Sequence, residues 1–525
     1  MSRDRWLILL LSLVLFLPFL GSVHLFDWDE INFAESAREM LVSGNWWQVT
    51  INYEPFREKP PLFFWMQALS MLVFGVGEFA ARFPNAVCGI VTLQVIFSIG
   101  LKWQNRTFAW AWVLLYIGSI LPHLYFKSGI IDPWFNLFIF LSVYHLFITI
   151  EHPEKGASKH ALLAGLFSGL AILTKGPVGL LLLVLTFLVW WVMHRFKKPA
   201  PLKSVLLFAG SAFLVSFIWF GYETIQNGPW FLVEFVQYQV ELFLHPVAGH
   251  KQPFFYHFLV VLLGCFPMSI IALSAFGKHY IGDDHKFSLW MKYLFWVVLI
   301  LFSIVTTKIV HYSSMTYLPL SYLAALVAVR HLENQTIKKW QIRWSAIQGG
   351  VLALVFSAVP LLLMNKESWI HLVNDPFAVG NLSVDVHWMG WEWIIGVLFF
   401  GLIMWALRLI ATDLKRAFIL LTAGSAVVIS LIMVVIVPKV EGYSQRSAIK
   451  FFEAHQTEDA FFETFKYKSY AQFFYGRVEP AHNTPETAKV HYVVCKIQHK
   501  DQLLEERPKA VPLYEKGGFS FYRVE

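Results

Sequence analysis

Long apolar runs are the feature that most constrains this 525-residue chain. Hydrophobic residues make up 57% of the sequence and charged residues 15%, against roughly 25% charged residues in a soluble domain. A membrane-spanning helix needs about 20 mostly apolar residues, and runs of that order recur along the chain. The sequence therefore predicts an all-α polytopic membrane protein. Lys and Arg are scattered between the runs and build no basic face, which argues against a nucleic-acid partner.

Run length predicts about thirteen transmembrane helices, two of them short. The predicted spans are 6–26, 79–101, 108–125, 133–150, 161–174, 177–193, 204–222, 254–276, 293–306, 312–329, 346–364, 391–407 and 418–437. The first run follows Arg3 and Arg5 and has no convincing small-residue cleavage site, which favours a retained span over a signal peptide. The three cysteines show no metal-ligand spacing and predict neither a disulfide framework nor a zinc finger.

The connections between the spans divide into two kinds. Short basic connections alternate with long ones, and the positive-inside rule assigns the basic side to the cytoplasm. The basic residues are Lys102, Arg106, Arg195, Lys197, Lys198, Lys203, Lys278, Lys286, Lys292, Arg330, Lys338, Lys339, Arg343, Arg408, Lys415 and Arg416. The long outer loops are then 27–78, 223–253 and 365–389. Residues 1–437 are predicted to form the transmembrane domain, and residues 438–525 a small α/β extracytoplasmic domain. The apolar stretch 63–74 is too short to span and suits an interfacial helix.

Charged residues gather at the predicted outer ends of the spans. They include Asp29, Glu58, Lys59, Lys127, Asp132, Lys175, His250 and Lys308. Each has an ordinary local explanation: Asp29 and Asp132 can cap helices, and Lys175 can lie at a helix C-terminus. Together, however, several cations with two or more carboxylates at one depth predict a site for a phosphate-bearing ligand beside a general base. His311 and Tyr312 adjoin Lys308 without an assigned role.

Four collinear stretches between residues 27 and 330 resemble a known family. They are DEINFAESAREMLVSGNWWQVTINYEPFREKPPLFFWMQALSMLVFGVGEFAARFPNAV, ILTKGPVG, HKQPFFYHFLVVLLGCFP and TKIVHYSSMTYLPLSYLAAL. The tail adds KYKSYAQFFYGR. The chain resembles the bacterial polyprenyl-phosphate-sugar glycosyltransferases of the GT-C superfamily, which include the aminoarabinose lipid A transferase and are related to the protein O-mannosyltransferases.

The resemblance implies a bacterial inner-membrane enzyme with an extracytoplasmic active site. It implies transfer of a sugar from a polyprenyl-phosphate donor to a lipid A, glycan or protein acceptor, with inversion. The implied catalytic residues are Asp29 and Asp132. The implied donor-phosphate ligands are Lys59, Arg57, Lys127, Lys175 and Lys308. Glu58 and His250 would hold a divalent metal, Zn or Mg/Mn.

Two departures from the family pattern and two rival functions stand beside this prediction. The chain has Asn32 where the family often has Arg, and Phe56 where it often has Tyr. The main rival is a transporter or flippase of lipid-linked sugars, although the sequence lacks the internal repeat and mid-bilayer charges that transporters usually show. The second rival is a non-catalytic subunit that only binds lipid carriers.

Overall fold

A computed structural model describes residues 2–56, 58–244, 252–277 and 286–524. The first helices are α1 (Arg3–Phe16), α2 (Asp29–Ser43), α3 (Leu62–Phe74), α4 (Glu78–Trp103), α5 (Arg106–Ile117), α6 (Ile120–Leu124), α7 (Asp132–Glu151), α8 (Ala157–Lys175), α9 (Val178–Met193), α10 (Leu202–Asn227) and α11 (Trp230–Leu244). They are followed by α12 (Tyr256–Gly264), α13 (Met268–Ala272), α14 (Lys286–Ile304), α15 (Tyr317–Asn334), α16 (Lys339–Met364), α17 (Pro376–Leu382), α18 (Ile394–Leu409) and α19 (Leu414–Val435). The tail contains α20 (Val437–Glu441), α21 (Arg446–Ala454), α22 (Ala471–Gly476) and α23 (Lys500–Glu506).

Each of the predicted spans contains a helix. By length and composition, eight helices in the described residues can cross a membrane, or up to ten if each of two bent pairs is one span. The bent pairs are Arg106–Ile117 with Ile120–Lys127, at 81°, and Tyr256–Gly264 with Met268–Phe276, at 110°. The second bend falls at Pro267, whose ring removes a backbone donor and disfavours helix in the residue before it. α9 and α18 are apolar but shorter, so the number of thirteen spans stays a prediction.

The first predicted outer loop, 27–78, consists largely of secondary structure. A short hairpin of β1 (Thr50–Ile51) and β2 (Glu54–Pro55) separates α2 from α3. The predicted short helix is present as α3, which buries Phe63, Phe64 and Ala68 and exposes Leu69, Leu72 and Val73. An apolar face left open beside membrane spans suits a position in the membrane interface.

The tail ends in a four-stranded sheet of β3 (Ala460–Phe465), β4 (Val490–Lys496), β5 (Ala510–Lys516) and β6 (Phe519–Val524). The strand order is β3-β4-β6-β5, with β3 and β4 parallel and the other pairs antiparallel. Phe452 of α21 and Phe521 of the sheet belong to the same buried cluster as Ile31 and Ala34 of α2. The tail is therefore packed on the first predicted outer loop, where α22 contacts α2. The all-α membrane fold with a small C-terminal sheet region agrees with the sequence prediction.

Candidate active site

A cavity of about 1110 Å³ opens where the predicted outer ends of the spans, α2 and the tail meet. Its polar lining includes Asp29, Asn32, Glu58, Lys59, Asp132, Asn136, Lys175, His311, Tyr312, Lys468 and Tyr470. Its apolar lining includes Val178, Leu181, Phe235, Val236, Val240, Leu301, Phe302 and Val305. A polar end joined to an apolar wall suits an amphipathic ligand.

Asp29 is the first residue of α2. A carboxylate is favoured there because the helix N-terminus carries partial positive charge. Its Oδ2 lies 3.1 Å from Nε2 of His311, and 36% of its side chain is exposed. Burial raises the pKa of Asp29, but the hydrogen bond and charge of His311, with the charges of Lys59 and Lys175, outweigh it and hold the pKa at about 2. Asp29 is therefore ionised at neutral pH.

Asp132 and Lys175 form an ion pair between two neighbouring helices, α7 and α8. Asp132 begins α7, and Lys175 ends α8 because Gly176 adopts a φ of +85° there. Lys175 Nζ donates to Asp132 Oδ1 at 2.7 Å. His311 Nε2 lies 3.9 Å from the other oxygen of Asp132, whose side chain is only 5% exposed. The imidazole thus lies between the two predicted catalytic carboxylates, of which Asp29 is the more accessible.

Lys59 and Glu58 enter the cavity from the loop before α3. Lys59 Nζ lies 3.9 Å from Glu58 Oε2, and both side chains are partly exposed. Burial lowers the pKa of Lys59, while the charges of Glu58 and Asp29 oppose that shift. A phosphate in the cavity would add further negative charge beside the ammonium group and favour its charged form.

Two predicted phosphate ligands are not among the residues that line the cavity. Lys127 Nζ donates to the carbonyls of Leu15 and Pro18, at 3.2 and 2.8 Å, at the end of α1. Lys308 is buried and donates to the carbonyl of Val305 at 2.7 Å, although Thr307 beside it lines the cavity. Packing turns both ammonium groups toward backbone carbonyls, so the geometry does not support a phosphate contact for either.

Arg57 and His250 lie outside the described residues. The predicted metal pair is therefore represented only by Glu58. Among the described residues, the one group of three or more His, Cys, Asp and Glu side chains close enough to share an ion is His24, Glu78 and Glu453. Glu58 is not in it, so a metal held by Glu58 and His250 stays a prediction, and no chemical step is derived through it.

The structure adds cavity residues that sequence reasoning did not assign. His311 joins the two carboxylates, and Trp28 lies beside Asp29. Lys468 and Tyr470 come from the tail, and the Lys468 ammonium lies 5.0 Å from the ring centre of Trp28. Trp28 Nε1 also donates to the Lys468 carbonyl at 3.0 Å. The matching stretches IVHYSS and KYKSY were the available signals for His311 and for the tail residues.

Comparisons with known proteins show which sequences this chain is similar to. The family model described as "Dolichyl-phosphate-mannose-protein mannosyltransferase" matches residues 58–219. The undecaprenyl phosphate-alpha-4-amino-4-deoxy-L-arabinose arabinosyl transferase 1 of Proteus mirabilis is 28% identical over 62% of this chain and 59% of its own length. The Aeromonas salmonicida transferase of the same description is 29% identical over 74% of this chain and 71% of its own. The first match thus spans less than two thirds of that relative.

The fold likeness covers nearly the whole chain. The crystal structure of ArnT from Cupriavidus metallidurans bound to undecaprenyl phosphate superposes with a TM-score of 0.80 at 17% identity, over 99% of this chain and 98% of that one. Its apo state gives a TM-score of 0.79 over 100% and 98% of the two chains. At this identity the likeness concerns the fold, and it extends through the C-terminal sheet. The chain is thus similar in sequence to aminoarabinose transferases and similar in fold to ArnT, which agrees with the resemblance carried by its motifs.

Proposed function

We propose that this chain is a glycosyltransferase that moves a sugar from a polyprenyl-phosphate donor to a lipid A, glycan or protein acceptor. The observation that carries the proposal is one cavity in which an accessible carboxylate, Asp29, lies within the influence of Lys59 and Lys175. The apolar wall, which includes Leu181, Val236 and Phe302, offers a surface for an isoprenoid chain. The names of the relatives include undecaprenyl phosphate-alpha-4-amino-4-deoxy-L-arabinose, which supports the same donor class.

The cations explain how the carrier phosphate could leave. Bond cleavage at the anomeric carbon leaves negative charge on the phosphate oxygens, and fixed cations stabilise that charge without reorganisation. Lys59 and Lys175 are the described cations at the polar end that adjoin both Asp29 and Asp132. They would hold the phosphate in the ground state and stabilise it more strongly as the sugar departs.

Asp29 and Asp132 have different proposed roles. Asp29 is the proposed general base that accepts the proton of the acceptor hydroxyl or amine as it attacks the anomeric carbon. Direct attack opposite the leaving phosphate inverts the configuration at that carbon. Asp132 is buried and already paired with Lys175, so we assign it to positioning that lysine. A phosphate that draws Lys59 and Lys175 toward itself also weakens their hold on Asp29 and raises its basicity.

The proposed orientation places the cavity and the C-terminal sheet outside the cytoplasm. Basic residues in the short connections at the other ends of the spans, including Lys102, Arg106 and Lys155, support this orientation under the positive-inside rule. In a bacterium the compartment would be the periplasmic side of the inner membrane. A lipid-linked donor can then reach the cavity within the bilayer.

The test is transfer from radiolabelled undecaprenyl-phosphate sugars in membranes that contain the parent chain or an Asp29→Asn variant. An undecaprenyl-phosphate aminopentose is the first donor, followed by hexose donors, with lipid and protein fractions counted for label. Removal of a general base is expected to slow transfer by roughly 10²- to 10⁴-fold. Asp385→Asn, at an exposed aspartate outside the cavity lining, is the matched control and should retain parent activity.

Each outcome has a definite meaning. Transfer that survives unchanged in Asp29→Asn would remove Asp29 from the mechanism and leave the enzyme standing. No transfer from any donor, with labelled lipid crossing sealed vesicles instead, would favour the flippase. Carrier binding with neither transfer nor crossing would favour the non-catalytic subunit.

A further inference from the structure

A second polar cluster lies apart from the cavity, where the loop after α1, the start of α4 and the tail meet. It consists of His24, Glu78, Glu441 and Glu453, none of which lines the cavity. His24, Glu78 and Glu453 each present one ligand atom, and these atoms all lie within 4.8 Å of one another. The proposed transferase has no use for this group, so it needs a separate explanation.

The His24 ring is held in a defined orientation. Its Nδ1 lies 3.0 Å from Oε1 of Glu441, a residue that is 2% exposed. The second oxygen of Glu441 accepts from Arg446 Nε at 2.8 Å. Tyr475 packs edge-on against the imidazole, with ring centres 5.6 Å apart. An ionised carboxylate only accepts, so Nδ1 donates, and Nε2 is directed away from Glu441.

The distance between His24 Nε2 and Glu453 Oε1 suits a shared ion better than a direct hydrogen bond. His24 Nε2 lies 3.8 Å from Oε1 of Glu453, which is too long for a hydrogen bond. Two ligand atoms about 2.0–2.2 Å from a tetrahedral Zn²⁺ are separated by roughly 3.4 Å. Small rotations of the flexible Glu78 and Glu453 side chains would bring the three ligand atoms to that separation. By contrast, the neighbouring Arg82 and Glu30 form a direct ion pair, with Nη2 2.8 Å from Oε2.

A carboxylate behind a histidine is also the usual outer partner of a metal-bound imidazole. It fixes the tautomer and raises the basicity of the nitrogen that faces the ion. Glu441 has that position relative to His24, while Glu453 Oε1 lies on the Nε2 side and one oxygen of Glu78 lies within 4.8 Å of both ligand atoms. The other oxygen of Glu453 accepts from Lys450 at 2.7 Å. Imidazole with carboxylates is a ligand set that Zn²⁺ accepts.

We propose that His24, Glu78 and Glu453 bind a divalent transition-metal ion, with Zn²⁺ as the best-fitting candidate, and that Glu441 orients His24. The ion would join three separate segments: the loop after α1, the N-terminus of α4, and α21 of the tail. An ion that binds only the folded arrangement stabilises it by mass action. The site is thus a metal clamp that fixes the C-terminal sheet region on the membrane domain, separate from the metal predicted at Glu58 and His250.

The test uses the full-length chain purified in detergent, stripped with EDTA and then titrated with ZnCl₂. Bound zinc per chain and the melting temperature are measured for the parent, His24→Ala and Glu453→Gln. The parent is expected to bind one zinc more than either variant and to melt at a higher temperature as zinc rises. Loss of the orienting carboxylate in Glu441→Gln should weaken zinc binding by about 10- to 100-fold.

Matched controls separate this site from others. His371→Ala and Glu486→Gln alter exposed residues outside the cluster and should bind zinc as the parent does. Glu58→Gln should also retain this zinc, because Glu58 belongs to the cavity. Equal zinc content and equal zinc-dependent melting in parent and Glu453→Gln would overturn the proposal, as would a parent that responds to no zinc. Neither readout depends on sugar transfer, so the clamp and the proposed enzyme can fail independently.

Discussion

Two neighbouring residues at the start of α2 lie in opposite environments. Asp29 faces the cavity with 36% of its side chain exposed and a single described short contact, to His311 at 3.1 Å. Glu30 is 4% exposed and is bound by Arg82 through two hydrogen bonds of 3.0 and 2.8 Å. The backbone amides of Phe26 and Gly129 also donate to Glu30. One carboxylate is left available to a ligand, whereas the other is fully satisfied within the protein.

The same contrast extends to the regions around them. In the region between α2 and the tail, Arg38 closes on Glu35 with bonds of 2.7 and 2.6 Å and donates to the Val478 carbonyl at 2.7 Å. In the cavity, Asp29 and Glu58 keep 36% and 32% of their side chains exposed, although Lys175 and Asp132 pair at 2.7 Å. Buried charges must be paired closely to offset their desolvation, while a binding site leaves charges accessible for its ligand. Exposure of Asp29 and Glu58, rather than residue type, distinguishes the cavity from the buried region.

The largest predicted effect is a difference in stability between the Glu30→Gln and Asp29→Asn variants. Glu30→Gln leaves the buried Arg82 without its counter-charge and is expected to reduce the free energy of unfolding by roughly 3–5 kcal/mol. Asp29→Asn should melt near the parent temperature and lose transfer. Melting in detergent, followed by tryptophan fluorescence, measures the difference. Equal melting of the two variants would contradict the contrast between a structural and a catalytic carboxylate.

The next effect concerns phosphate binding. Lys175→Met removes one charge-assisted contact, worth about 1.5–3 kcal/mol, and should lower kcat/KM for the donor by roughly 10- to 100-fold. Part of the loss should appear as a higher KM, and Lys175→Arg should recover some of it. Lys102→Met, at an exposed lysine on the basic side, is the control and should leave both constants unchanged. Because Lys175 also pairs with the buried Asp132, Lys175→Met should melt below the parent in either case, so donor KM decides: a purely structural role would leave it constant.

The smallest effect is a pH dependence at the contact between the loop and the tail. Burial raises the pKa of Asp27 to about 6 from 3.8, although Ser469 and the amide of Tyr470 donate to it. A raised folded-state pKa adds stability that is present below pH ~4 and is lost as the pH rises through ~6. Asp27→Asn should therefore melt above the parent at pH 7.5, with a gain that shrinks below pH 6 and vanishes near pH 4.

Thermal melts of Asp27→Asn and the parent between pH 4 and 8 measure this dependence. Asp385→Asn, at an exposed aspartate, should show no such gain at any pH. A gain for Asp27→Asn that stays constant across the range would mean that ionisation of Asp27 is not its cause.

The membrane fold was predictable because span hydrophobicity is a local property of the sequence. Twenty apolar residues must be helical in a bilayer whatever their neighbours are. The pairing of Asp132 with Lys175 was not predictable in the same way, since it depends on how α7 and α8 pack. The sequence predicted that both residues lie at the same depth along the spans, and the structure places Lys175 Nζ 2.7 Å from Asp132 Oδ1. Depth along a span can be inferred from hydropathy, but the direction of a side chain cannot.

By itself, the sequence determined an α-helical membrane protein with Asp29, Glu58, Lys59, Asp132 and Lys175 near one end of its spans, where the structure groups them around one cavity. Only the tertiary structure decided that Lys127 donates to the carbonyls of Leu15 and Pro18 at the end of α1, and that Lys468 reaches the cavity from the tail. A charge near a membrane surface can be satisfied by a ligand, an ion pair or a backbone carbonyl. The choice among these depends on contacts between segments far apart in the chain, which no local pattern encodes.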